Sequence, residues 1–335
     1  MVQNDRKGRG LGLCSGGLDS TLAGLVLREQ GVDVEWVTFE TPFFSAAKAR
    51  KAARLTGIPL TVVRLYDEYM EMLRNPRAGY GKGMNPCMDC HALMFRVAGR
   101  LMRERGFDFL FSGEVLGQRP MSQTKPSLHY VAKHSGVPGC ILRPLSAKLL
   151  PETAPERGGL VDRERLLDLS GRGRKPQIEL ARKFGLTDYP APAGGCLLTD
   201  KGFGARLRDL FDHLPGSGES DVHLLKFGRH LRLNPRAKLI VGRTEQDNES
   251  ILQHRTPGRD TVLDVRDYPS PTGLLQGTVE EADIAFAAGI CAGYSKAPRG
   301  TPIDVLVTSP AGERIIRVAA IPPEEARPLM VPPSR

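Results

Sequence analysis

Hydrophobic and polar positions follow two different rhythms along the chain. From residue 9 to about residue 150, short apolar runs alternate with longer segments whose apolar residues recur at helical spacing. Leu11–Cys14 reads as a buried strand and Leu22–Glu29 as the amphipathic helix after it. Val34–Phe39 and Leu60–Leu65 read as further strands, with a basic helix at Ser45–Thr56 between them. Ala92–Arg105 has helical periodicity, and Phe107–Phe111 suits a short buried strand. This alternation predicts an α/β fold built on a doubly wound, mostly parallel sheet. Ligands of such sheets bind at the carboxyl ends of the strands, where Ser15–Ser20 and Ser112–Glu114 are expected to lie.

The rhythm changes further on. Residues 151 to about 215 are rich in Arg, Gly and Pro and read as helices and loops packed on the sheet. The polar stretch Leu214–Ser220 reads as a boundary. Beyond it, Val222–Phe227, Leu239–Val241, Thr261–Val265, Ile303–Thr308 and Ile315–Val318 read as strands, and Glu281–Ala292 as a helix. The expected organisation is therefore an α/β domain over 9–215 and a smaller α+β module over 221–331.

Composition narrows the function classes. A length of 335 residues allows two domains, each with its own core. No apolar run is long enough for a bilayer, and the polar start MVQNDRKGRG is not followed by a signal-type stretch. A cytoplasmic location and no membrane partner are expected. The net charge of +9 favours a polyanionic partner. With only 6% aromatic residues, base stacking is not the leading mode of binding.

The richest stretch chemically is Leu11–Thr21, LGLCSGGLDST, which has the order strand, glycine turn, helix start. Gly16 and Gly17 let backbone approach an anion, and first-turn amides with the helix dipole attract it. An ordinary turn with a Ser or Asp cap is the plain alternative. The spacing is not that of a GxxxxGK[ST] loop.

Six cysteines occur. Cys14, Cys140 and Cys291 stand among apolar or small residues and read as packing residues. Asn85-Pro86-Cys87-Met88-Asp89-Cys90-His91 is a CxxC expected just before a helix, where a thiol ionises more readily. Cys196 follows two glycines in Pro192–Leu198. The residues alone leave three readings open: a redox dithiol, a metal site with His91 as a further ligand, or a sulfur carrier. Asp89 or His91 could carry a proton, although a loop hydrogen bond is the commoner role.

Ser15-Gly16-Gly17-Leu18-Asp19-Ser20 resembles the pyrophosphate loop of PP-loop ATPases, the adenine nucleotide alpha hydrolase group. The resemblance implies ATP and Mg²⁺, with cleavage between the α and β phosphates and adenylation of an acceptor. It implies contacts to ATP from Ser15–Thr21, Thr38, Phe39, Ser112, Gly113 and Gln118, with Asp19 catalytic. The NPCxxC run resembles that of tRNA 2-thiouridylases. Ser112–Arg119 with Ser122-Gln123, and Arg143-Pro144-Leu145, resemble stretches of tRNA 4-thiouridine synthetases. Together these imply sulfur transfer to a tRNA uridine through Cys87, Cys90 and Cys196, from a persulfide carrier or sulfide. Some PP-loop thiolases hold a [4Fe–4S] cluster on such a cysteine set, and Cys87, where the 2-thiouridylases have Asp, favours that over a persulfide. A PP-loop enzyme acting on a small molecule, and an RNA-binding protein with a degenerate nucleotide domain, are the rival readings.

From Lys226 to Arg243 the chain has Lys226, Arg229, Arg232, Arg236, Lys238 and Arg243 and no acidic residue. A charge run is usually a solvated face, but a single-signed run within strand-forming residues also suits phosphate contacts. Val241–Glu249, with Pro269–Thr272 and Cys291–Ala297, resembles the NFACT-R domain. That implies RNA binding, with Lys296 added to the basic set. Asp264–Asp267 stands where that family has an aspartate-rich, histidine-containing segment.

Overall fold

The computed structural model describes residues 8–191, 195–298 and 300–332. They divide into two compact units, Met1–Gly81 with Asn85–Cys196, and Lys82–Met84 with Leu197–Arg335. Their strands are β1 (Arg9–Leu13), β2 (Asp33–Glu40), β3 (Leu60–Arg64), β4 (Phe109–Ser112) and β5 (Ile141–Leu142) in the first, and β6 (Arg229–Asn234), β7 (Ala237–Val241), β8 (Thr261–Val265), β9 (Gly273–Gly277), β10 (Ile303–Ser309) and β11 (Gly312–Val318) in the second. The helices of the first unit are α1 (Leu18–Glu29), α2 (Ala47–Thr56), α3 (Asp67–Arg74), α4 (Cys87–Arg105), α5 (Lys125–His134), α6 (Ala154–Arg157) and α7 (Lys175–Lys183). Those of the second are α8 (Lys201–His213), α9 (Glu219–Leu224), α10 (Glu245–His254), α11 (Glu281–Gly293) and α12 (Pro323–Ala326). No helix among the described residues is long and apolar enough to cross a membrane.

The first unit is α/β, with an all-parallel sheet in the order β3-β2-β1-β4-β5. The order reverses between β1 and β4, which is where such sheets open a crevice for ligands. Leu13 pairs with Val37 on one side and Ser112 on the other, so the chain leaves β1 and β4 side by side. The sheet is buried on both faces, as the continuous apolar runs require. Trp36, Phe109 and Phe111 are fully buried in or beside it, packed with Leu22, Val26 and Leu142. Burial of one such side chain stabilises the fold by about 1.5–3 kcal/mol.

The second unit is a six-stranded antiparallel sheet in the order β11-β10-β8-β9-β7-β6. One face carries Leu239, Leu263 and Leu275 against α11, and the other carries Ile240, Val262 and Leu274 against Leu224 and Ile251 of α9 and α10. Val222–Phe227, expected as a strand, is instead the end of α9 and the turn after it. Gly218 N donates to the Asp221 carboxylate at 2.9 Å, a capping contact that starts a helix, and Val222 and Leu225 then share one buried face. So short an apolar run carries no clear period. Residues 214–220 lie inside this unit, the first five joining α8 to α9 and the last two opening α9.

Candidate functional site

The segment after β1 makes a tight turn into α1. Gly16 has φ of +72°, and a Cβ there would lie 2.2 Å from the backbone of Lys48. Gly113, at the end of β4, backs onto Asp19 so closely that a Cβ would lie 2.4 Å from its carbonyl. Both sites admit only glycine, and they press the two strand ends together. The Gly17 carbonyl accepts from Ser20 Oγ at 2.9 Å and Thr21 Oγ1 at 3.0 Å. Gly17 is the N-cap of α1 and provides no side-chain cap, so the first-turn amides are left for an anion.

A cavity of about 670 Å³ opens over this turn. Ser15, Gly17, Leu18, Asp19, Ser20, Thr38, Phe39, Ser112, Gly113 and Gln118 all line it. Gly16 and Thr21 stand behind its wall, the first against α2 and the second holding the turn. Asp19 Oδ2 accepts from Gln118 Nε2 at 2.6 Å, whereas Oδ1 is buried without a partner among the described residues. An orphaned carboxylate oxygen in a phosphate-sized cavity fits a hydrated Mg²⁺.

Lys48, Arg119, Arg172, Arg174, His91 and Glu114 also line the cavity; the sequence singled out His91 as a possible ligand or proton carrier and placed Glu114 at a strand end, but pointed to neither Lys48 nor Arg172 nor Arg174. Glu114 Oε1 lies 2.9 Å from His91 Nδ1, and Oε2 accepts from Arg143 Nε at 2.9 Å and Ser112 Oγ at 3.0 Å. Burial opposes the Glu114 charge, but Arg143 and then His91 hold its carboxyl at about 2. Burial also opposes the charge on His91, yet its hydrogen bonds to Cys87 and Glu114 raise the imidazole to about 10. The signals for this chain were weak: His91 is four residues after Cys87, and Glu114 and Arg143 sit in stretches quoted above for other reasons.

The CxxC is not ahead of a helix but in its first turn, because α4 starts at Cys87. Cys87 and His91 are then i and i+4 on one face. Burial raises the Cys87 thiol, but the His91 hydrogen bond and charge, with Ser122 and Arg119, bring it below its ordinary value. Cys90 is the opposite case: burial pushes it up to about 12, and its Sγ lies 3.8 Å from the Tyr69 hydroxyl. Cys196 is half-buried and close enough to act electrostatically on Cys90. Pro192–Gly194 of the Cys196 segment, like residues 1–7, lie outside the described residues. Asp89 accepts from Ala78 N and Tyr130 Oη, both at 2.7 Å, and so braces the loop before α4. Cys14 and Cys291 are buried, and Cys140 is half-buried.

The three cysteines do not present a [4Fe–4S] cradle. Among the described residues no group of three or more His, Cys, Asp or Glu side chains is arranged to hold a metal ion. Cys87 is engaged by His91 and Cys90 by Tyr69.

The basic run in the second unit is divided between one buried residue, Lys238, and others that are partly or fully exposed. Lys238 is buried with its ammonium 2.8 Å from Asp209, and Arg232 makes two bonds to the same carboxylate at 2.9 and 2.8 Å. Burial lowers Lys238 to about 8. Neither side chain is presented to a phosphate. Arg229 lies over the Tyr294 ring at 4.8 Å, and Lys226 is half-buried against His223. Arg236, paired with Glu280, Arg243, paired with Asp247, and Lys296 remain at the surface.

Residues 5–148 match the family model described as thiamine biosynthesis protein (ThiI). Residues 228–330 match that of the NFACT protein RNA binding domain. The two matches fall in different units of the fold. A protein of Oceanobacillus iheyensis named probable tRNA sulfurtransferase is 31% identical over 147 residues, 41% of this chain and 35% of that protein. One of the same name from Streptococcus gordonii is 30% identical over 142 residues, 41% of this chain and 34% of its own length. The chain therefore spans about a third of the length of these curated relatives. A predicted subunit of tRNA methyltransferase from Methanocaldococcus jannaschii superposes with a TM-score of 0.34 at 15% identity, over 52% of this chain and 76% of that one.

Proposed function

We propose that the chain is an ATP-dependent sulfurtransferase acting on a tRNA uridine. The observation that carries this reading is the double role of His91, which lines the cavity over the phosphate loop and also holds the Cys87 thiol. A polarised sulfur therefore stands one side chain away from the site suited to a nucleotide. The match to ThiI, the names of the relatives and the NFACT-type domain support an RNA acceptor.

ATP would lie over Ser15–Ser20, its phosphates on the uncapped amides of α1. Asp19 would hold Mg²⁺, which screens phosphate charge when bound. The uridine carbonyl oxygen attacks the α-phosphorus, the bond from that phosphorus to the bridging oxygen breaks, and pyrophosphate leaves with the electron pair. Fixed amides and cations stabilise the charge that develops. His91 holds the proton lifted from Cys87, leaving a thiolate that accepts a sulfur atom from a persulfide donor. The terminal sulfur of the resulting persulfide attacks the activated carbon, and the C–O bond breaks as AMP departs. A second thiolate, assigned to the half-buried Cys196, then attacks Cys87 Sγ. That step leaves sulfur on the base and a Cys87–Cys196 disulfide, which a thiol reductant reopens. No step runs through an iron–sulfur cluster.

The test is incubation of the full chain with unmodified tRNA transcript, ATP, Mg²⁺, a persulfide donor and a thiol reductant. Thionucleoside is read by mass spectrometry, with AMP and pyrophosphate. RNA-dependent AMP release with thiouridine is expected, and both are lost in Asp19→Ala. AMP release indifferent to RNA would point to a small-molecule acceptor. RNA binding without pyrophosphate would leave only a binding protein.

A further inference from the structure

We propose that Arg172 and Arg174 form a clamp for the β- and γ-phosphates of the nucleotide and for the pyrophosphate they become. The proposal rests on the ATP reading above and deepens it, because no motif assigns either residue.

Lys48, Arg119, Arg172 and Arg174 bring four cationic side chains to the cavity, against the carboxylates of Asp19 and Glu114. Glu114 is already matched by the Arg143 guanidinium and by His91. Among the described residues, Arg172 and Arg174 have no ion pair of their own. A lone phosphate group brings about −1.5 to −2, too little to balance the remaining cations. A triphosphate adds the missing charge.

Arg174 Nε is buried with no hydrogen-bond partner among the described residues. A buried charged donor without an acceptor is costly. The planar guanidinium fork matches phosphate oxygens in pairs, and the cavity it lines has the size and sign for them.

The loop that carries both arginines is pinned to the segment after β4. Gly171 N donates to Leu116 O at 2.7 Å, and Ser170 bridges to Leu116. Gln177, in the first turn of α7, donates to Gln118 Oε1 at 3.0 Å, and Gln118 donates in turn to Asp19. The start of α7 is thus tied through two glutamines to the first turn of α1. Fixed cations of this kind stabilise charge as it moves onto a leaving group without reorganising first.

Calorimetric titration of the full chain with ATP, pyrophosphate and AMP tests the clamp. The variants are R172Q, R174Q and the double, which keep a polar side chain but shorten it and remove its charge. The double variant is expected to lose about tenfold to a hundredfold in affinity for ATP and pyrophosphate, by the usual worth of charge-assisted hydrogen bonds. AMP should bind within about twofold of wild type, which also shows that the cavity is folded. ATP affinity held within twofold, or ATP and AMP weakened equally, would overturn the clamp. A wild-type chain that binds neither nucleotide would instead overturn the ATP reading itself.

Discussion

Glu114→Gln is the most demanding test of the His91–Glu114–Arg143 chain. The substitution keeps the shape of the side chain and removes its charge. Arg143, 7% exposed, is left buried without a counter-ion, and His91 loses the carboxylate beside Nδ1. Breaking a buried pair from one side costs roughly 3–5 kcal/mol. The carboxyl's own titration supplies an independent figure. Lowering it from 4.5 to about 2 corresponds to about 3 kcal/mol at about 1.36 kcal/mol per pH unit. A loss of this size is a large share of the roughly 5–15 kcal/mol by which a domain is stable. Because the folded-state value is depressed, this stability is present above pH 4.5 and is lost as pH falls towards 2. His91 has the opposite sign: raised from 6.5 to about 10, its contribution is complete below 6.5 and is lost as pH rises through 10. The assay is denaturant unfolding followed by the fluorescence of Trp36, the single tryptophan, which is fully buried in the first unit. At pH 6 the variant should unfold with about 3 kcal/mol less stability, and the difference should shrink as pH approaches 3. A loss below about 1 kcal/mol, or a difference that does not change with pH, refutes the reasoning.

Other expectations follow from the same geometry. At pH 7.5 iodoacetamide should modify Cys87 well before Cys90, since one thiol is lowered by His91 and the other raised by burial; peptide mass spectrometry showing Cys90 first would contradict this. Gly16→Ala should abolish nucleotide binding and destabilise the first unit by about 1–3 kcal/mol, because a Cβ meets the Lys48 backbone and φ is positive; unaltered ATP affinity would count against the tight turn. Asp209→Ala should cost the second unit about 3–5 kcal/mol by stranding Arg232 and Lys238, read as faster hydrogen exchange in the β6–β7 hairpin. If that exchange is unchanged, the two cations are not internal.

The parts of the candidate site that were legible in sequence were local. The SGGLDS turn is a contiguous run whose glycines, helix start and Asp19 act within a few residues of one another. Ser112 and Gly113 were placed by a general property of parallel sheets, that strand ends share an edge, and Thr38 and Phe39 only by the resemblance to PP-loop ATPases. The basic run Lys226–Arg243 was easy to see and easy to misjudge. Its charge is written in sequence, but Asp209, which removes Lys238 and Arg232 from the surface, comes from a helix more than twenty residues earlier.

The alternation of apolar runs by itself determined the α/β class of the first unit, because burying a sheet on both faces requires that pattern whatever the partners are. It likewise determined the phosphate-suited turn, which needs only neighbouring residues. The structure alone decided which ionisable groups meet: Cys87 with His91, Glu114 with Arg143, and Arg172 and Arg174 with the rim of the same cavity. Cys87 and His91 meet only because α4 begins at Cys87, the other groups are far apart in the chain, and the strength of these contacts comes from burial. Spacing along a sequence records neither.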